Sequence, residues 1–309
     1  MSAVIDPQAA GVGRSAEMAA PPPSRRRLGS IARLWLPLAW VLVVFGVALL
    51  ADWLPIPSPN NMDFAAVEQG PSKAHLLGTD LDGRDLLSRL AHGARVSLTV
   101  SLVAPAIGLL GGSLLGLLAA YYAGALRVVI LAITDAMLAF PSLVFALGLT
   151  AVLGPSLRNV TIALGIMSIP AFARIARANA LPLIGREFVL AARAAGAGDA
   201  YIMWREILPN MVMVLLTYAL TMMSIMIVAE GSLSFLGVGV RPPTPSWGGM
   251  IAEGREALER VPHVSLIPAA VMFLTVLSLN LIGDHLRQRH EAKAGGLAGA
   301  TRRSCRSAT

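Results

Sequence analysis

The chain has 309 residues, of which 55% are hydrophobic and only 14% charged, against roughly 25% charged in a soluble domain. With a mean hydropathy of +0.67, this excludes an ordinary soluble globule and points to an all-α integral membrane protein. The net charge of +7 would suit a nucleic-acid binder, but the basic residues are distributed as membrane topology requires, and the single cysteine, Cys305, allows neither an internal disulfide nor a cysteine metal cluster.

Residues 1–33 are rich in Ala, Pro, Ser and Arg with no apolar period, and read as a disordered tail. A spanning helix needs about 20 apolar residues. The first candidate, 34–51, carries no charge; its long proline-rich leader and the poor cleavage sequence ADWLPIP make it a retained anchor rather than a signal peptide. Together with the loop 52–94 it forms the segment 34–94. In that loop Asp80 is expected to cap a short helix whose stripe of Leu81, Leu86, Leu87 and Leu90 lies on the outer membrane surface.

A membrane-embedded core is expected over 95–287. Its spans are 97–126, 128–157, 159–173 with an extension past Arg174 and Arg177, 207–229 and 261–283, making six in all. Gly108, Gly112 and Gly116 stand four residues apart, the spacing that lets helices approach closely. Asp135 is the one charge in its span, and serves either the translocation path or a structural hydrogen bond. Glu230 ends the fifth span, at the mouth of a path or paired with an arginine. Met222, Met223 and Met226 read as packing or lipid-facing residues, with a soft path lining as the alternative. Trp247, in the loop 237–260, suits the interfacial belt. His263 and Asp284 mark the ends of the last span, and 288–309 reads as a second disordered tail.

With six spans both termini share a side. That side holds 17 of the 25 lysines and arginines and the other holds 8, so both termini are expected in the cytoplasm. There too lies EFVLAARAAGAGDAYIMWREILPN, 187–210. Its first part is built of helix formers stopped by Gly196; Asp199 is placed to cap a second helix, and Pro209 to open the next span, where a missing N–H costs least. Its alanines leave a surface that another backbone can approach. The unit is either a loop packed on its own bundle or a docking plug for a cytoplasmic partner. No GxxxxGK[ST] phosphate loop occurs, so the chain is not expected to hydrolyse ATP itself.

AARAAG at 191–196 with ILPN at 207–210 resembles the coupling motif of binding-protein-dependent ABC transporter permeases. HLLGTDLDGRDLLSRLAHGARVSL (75–98), DAMLAFPSL (135–143), LSFLGVGVRPPTPSWGGMI (233–251) and GDHLR (283–287) are similar, in the same order, to the second permease subunit of dipeptide, oligopeptide and nickel importers. The resemblance implies a type I ABC importer permease fold with six transmembrane helices in the bacterial inner membrane. The implied partners are a homologous permease subunit, two ATPase subunits that bind the ATP and magnesium, a periplasmic substrate-binding protein and membrane lipid, with no nucleic acid. It implies no cofactor or metal in this chain, and no catalytic residue. The coupling helices would be 187–208, with Ala191, Ala192, Gly196, Ile207 and Pro209 at motif positions and Glu187 a further coupling candidate, and Asp135 and Glu230 candidates for the path. Leu190 stands where the general motif often has glutamate. Readings from other classes are an intramembrane hydrolase, which would need a catalytic constellation at one depth, and an ion-driven secondary transporter, which would work without an ATPase. Nickel is an alternative substrate to peptides.

Overall fold

Proline and glycine punctuate the long apolar runs, yet helices run unbroken through Pro105, Pro170, Pro182 and Pro268, and the break comes at Pro141. The computed structural model describes residues 27–306, with side chains from 34 to 288. The expected N-terminal tail falls largely on 1–26, outside the described residues. The chain runs α1 (Arg27–Leu50), α2 (Leu86–Tyr121), α3 (Ala125–Ala139), α4 (Ser142–Leu153), α5 (Leu157–Ile184), α6 (Glu187–Ala194), α7 (Asp199–Tyr201), α8 (Leu208–Phe235), α9 (Trp247–Gly254) and α10 (His263–Arg306). A π-helical turn, Ile202–Ile207, joins α7 to α8. No strand is formed among the described residues; only two isolated antiparallel bridges occur, Met62 with Arg84 and Thr79 with Asp85.

Among the described residues four helical segments are long and apolar enough to cross a membrane: Leu86–Tyr121, Leu157–Ile184, Asp199–Phe235 and His263–Gln288. The pair α3 and α4 makes a fifth if counted as one, and α1 contributes the shorter apolar stretch Leu34–Leu50. The expected unbroken span over 128–157 is therefore corrected. Pro141 disfavours helical backbone at Phe140, which is extended (φ −79°, ψ 136°), and the two halves meet at 91°. The expected extension past Arg174 and Arg177 is present, since α5 continues to Ile184. At the other end of the chain α10 runs past Asp284 to Arg306, so the backbone of most of 288–309 is helical.

Two expectations for the polar loops also change. Asp80 is not a helix cap: Asp85 is, its carboxylate accepting from Ser88 N at 2.8 Å. From there α2 runs as one helix of 36 residues, about 54 Å long, and Leu86 is buried rather than part of a surface stripe. Asp80 turns inward instead, because Arg84, four residues on, and Arg89 converge on its carboxylate at 2.7 and 3.2 Å. Arg89, only 1% exposed, also reaches Glu253 at 2.7 Å, so the loop before α2 is bolted to α9 by a buried ionic cluster. Trp247 lies in the core, not at an interface, donating its indole N–H to Leu90 O at 3.2 Å. Outside the bundle Asp52 bridges α1 to α2, and the hydrogen bond from Arg95 holds its carboxyl below the ordinary value.

The centre of the bundle is the seam between α2 and α5. A Cβ on Gly108 would collide with Ser168 and Phe172, one on Gly112 would stand 2.4 Å from Ile169 O, and one on Gly116 2.3 Å from Ala173 O. The four-residue glycine spacing thus serves a helix of the same chain. The methionines pack: Met222 and Met226 join a cluster with Val100, Leu164 and Phe172, while Met223 lies against Leu98, Ile227 and Trp247. On the outside of this bundle α1 is pinned to α10 by Trp40, which donates to Thr275 Oγ1 at 3.1 Å.

Candidate functional site: a two-helix unit on the bundle end

The unit at 187–208 follows from its sequence turn by turn. Acidic Glu187 sits in the first turn of α6 and basic Arg193 in the last, both favourable to the helix dipole. The helix closes in a double hydrogen bond: Ala197 N to Ala192 O and Gly196 N to Arg193 O, each at 3.0 Å. This closure requires left-handed backbone at Gly196, which has φ +84°, and such backbone is what glycine accepts without strain. The expected glycine stop is therefore in place.

Two expectations shift by a residue or more. Gly198 is the N-cap of α7, and Asp199 is its first residue, with its carboxylate drawn away to the Tyr121 hydroxyl. Pro209 does stand in the first turn of α8, but α8 does not start afresh: Asp199–Phe235 is one helical run of 37 residues, and Pro209 lies just past the π turn in which Leu208 N bonds to Met203 O.

The unit has a buried side and an open side. Val189, Ile202, Met203 and Ile207 are buried in a cluster with Leu117 of α2, Ala176 and Ala180 of α5, and Met211 and Leu215 of α8; Ala192 and Ala197 pack against it. Of the six coupling candidates, Ile207 is therefore wholly internal and Ala192 partly so, while Glu187, Ala191, Gly196 and Pro209 are exposed. Beside them lie exposed Phe188, Leu190, Tyr201 and Trp204, at 36%, 51%, 51% and 57%. Leu190, in place of a charge, thus adds to an apolar face. A Cβ on Gly196 would meet nothing within 4 Å, so the turn itself stands clear of the bundle. The unit is thus rooted in the bundle on one side and carries several exposed large apolar side chains.

The two candidate path residues are not brought together. Asp135, on α3, is exposed and accepts from Arg174 Nη2 at 3.2 Å. Glu230 is only 1% exposed. It is neither at an open mouth nor, among the described residues, paired with an arginine: it accepts from Ser97 Oγ at 3.1 Å and Ser234 Oγ at 2.8 Å. Ser97 in turn accepts from Trp247 N at 3.2 Å, so this carboxyl joins α2, α8 and α9. A cavity of about 300 Å³ lies in the α3–α4 elbow, lined by Met137, Phe140, Pro141, Ser142, Phe145 and Met167. Among the described residues no group of three or more His, Cys, Asp or Glu side chains is placed to hold a metal ion. Sequence reasoning did not single out Tyr121 or the ionic cluster at Asp80; the spacing of Asp80 and Arg84, one helical turn apart, was the available sign of the latter.

Residues 112–294 match the family model described as the binding-protein-dependent transport system inner membrane component. The glutathione transport system permease protein GsiD of Pectobacterium atrosepticum is 40% identical over 255 residues, covering 82% of this chain and 85% of its own. The protein of the same name from Escherichia coli O6:K15:H31 is 43% identical over 258 residues, covering 83% and 85%. In the solved structures a chain of the inward-facing MetNI methionine ABC transporter superposes with a TM-score of 0.54 at 19% identity, over 65% of this chain and 95% of that one. The helical fold is thus that of a type I importer permease, and the chain belongs to the inner membrane components of binding-protein-dependent transport systems.

Proposed function

We propose that this protein is one of two permease subunits of an ATP-driven importer that takes up peptides or similar small solutes. The unit at 187–208 is the joint through which separate ATPase subunits drive it. The observation that carries the reading is the unit's two-sidedness: Val189, Ile202 and Ile207 root it in the bundle while Phe188, Leu190, Ala191 and Tyr201 stand open. Glu187, Gly196 and Pro209 frame that open face, and Ala192 and Ile207 hold it from beneath. The two relatives named for glutathione transport support a peptide-like substrate.

Six crossings fit the helices if α1 and the bent α3–α4 pair each count as one, with both termini and the coupling unit cytoplasmic, as the bias of arginines favours. ATP and magnesium would be held by the ATPase subunits, since this sequence has no phosphate loop. A substrate-binding protein would deliver solute to the opposite end, at the loops around Asp80 and Glu253. Asp135, near the α3–α4 elbow, is the path candidate that the geometry favours over buried Glu230.

Gly196→Asp tests the joint. The substitution strains a left-handed backbone and puts a carboxylate on the apolar face. The permease is expected to reach the membrane at its usual level while the ATPase subunits that co-purify with it fall at least fivefold. Full co-purification with full ATPase activity would refute the assignment.

A further inference from the structure

One phenol oxygen touches both sides of the glycine turn. Tyr121 is the last residue of α2. Its hydroxyl donates to Asp199 Oδ1 at 2.7 Å, on α7. The same oxygen accepts from Arg193 Nη2 at 3.3 Å, on the last turn of α6. The Arg193 guanidinium also lies 5.8 Å from the centre of the Tyr121 ring, within the range of a cation–π contact. Gly196 and its neighbours, the only backbone between α6 and α7, are thus spanned by a three-residue bridge from a different helix.

From these contacts we infer that Tyr121 is a positioning residue: it fixes the angle between α6 and α7 and makes the two-helix unit move as one body with α2. The inference rests on reading 187–208 as the docking unit, and adds the route by which force on that unit enters the bundle. A glycine turn alone transmits force poorly, because its backbone can swing; a hydroxyl used as donor to one helix and acceptor from the other removes that freedom. Behind Tyr121 stands the length of α2, locked to α5 along the glycine seam and to the Asp80 cluster at its far end. A push on α6 is then delivered along a helix that reaches the opposite face.

The test uses the assembled complex in nanodiscs, with Cys305→Ser to remove the native thiol and nitroxides on Leu114→Cys in α2 and Ala195→Cys beside the turn. Pulsed electron resonance reads the distance without nucleotide and with magnesium ATP and vanadate. With Tyr121 present the distribution is expected to be narrow and the same in both states. Tyr121→Phe keeps the ring and removes the hydroxyl; it should at least double the width or make the distance change with nucleotide, while the ATPase subunits still co-purify. Asp199→Ala should act alike, and Asp199→Asn, which keeps an oxygen acceptor, should restore the narrow distribution. If Tyr121→Phe does not assemble, the Asp199 pair decides. Unchanged distributions in Tyr121→Phe, or in Asp199→Ala where that pair decides, would overturn the inference. Failure of the docking reading itself would appear separately, as full co-purification in Gly196→Asp.

Discussion

Gly112→Ala adds one methyl group in the middle of the close-packed α2–α5 seam. That Cβ would stand 2.4 Å from Ile169 O, 2.5 Å from Phe172 Cβ and 2.9 Å from Ala173 N, where ordinary contact begins at 3.4 Å. Two of the three obstacles are backbone, so no rotamer change relieves them, and the helices must part by about 1 Å over this turn. Overpacking of this kind costs about 1–3 kcal/mol, or about fivefold to more than a hundredfold in the unfolding equilibrium. The assay is equilibrium unfolding of the purified permease in mixed micelles titrated with denaturing detergent. Gly148→Ala supplies the comparison: it lies in α4, its Cβ would meet nothing within 4 Å, and replacing a helical glycine by alanine favours the helix by about 0.5–1 kcal/mol. The two substitutions should move stability in opposite directions. If Gly112→Ala proves as stable as the native protein, the seam is not close-packed and the account of the glycine spacing is wrong.

Arg89→Met removes one of the two arginines, Arg84 being the other, that join Asp80 to Glu253. With Arg84 still in place and Glu253 partly exposed, it should lower stability in the same titration by about 1–3 kcal/mol; Arg89→Lys should recover only part, since one ammonium cannot reproduce the guanidinium fork. Glu230→Gln keeps an oxygen for one of the Ser97 and Ser234 hydroxyls, which bond to different carboxylate oxygens, and offers an amide N–H that the other can accept. It should unfold within about 1 kcal/mol of the native protein, whereas Glu230→Leu strands both hydroxyls at a cost of about 1–3 kcal/mol. If the Leu variant matched the Gln variant, the hydroxyl bonds would not be stabilising.

What the sequence revealed depended on whether the determinant was local. The glycine at 196 announced a helix stop because the left-handed turn it permits is a property of one residue, and the four-residue glycine spacing announced a close seam because periodicity is read along one helix. Which helix fills that seam was not legible, since Ser168, Ile169 and Ala173 lie far along the chain. Pro141 was in plain view, but an apolar run on both sides of it outweighed a proline that forces a right-angled bend. Asp80 and Asp85 present the same cap chemistry and both are buried; Arg84 and Arg89 converging on Asp80, with Glu253 beyond them, leave Asp85 to cap α2. Trp247 was assigned to an interface by residue type, though Leu90 O offers its indole N–H a buried acceptor. Tyr121 left no sign at all, because its role exists only where three elements meet.

The π turn at Ile202–Ile207 also sets an azimuth. Each residue added to or removed from a helix rotates everything beyond it by about 100° around the axis, and a π turn holds the equivalent of one extra residue without breaking the rod. Through this turn the open face of α6 is aimed relative to the faces that α8 shows to α2 and α5, as a shim sets the angle of a key on its shaft. A lineage that gained or lost a residue here would keep its fold and its motif, yet present the same side chains toward a different quarter.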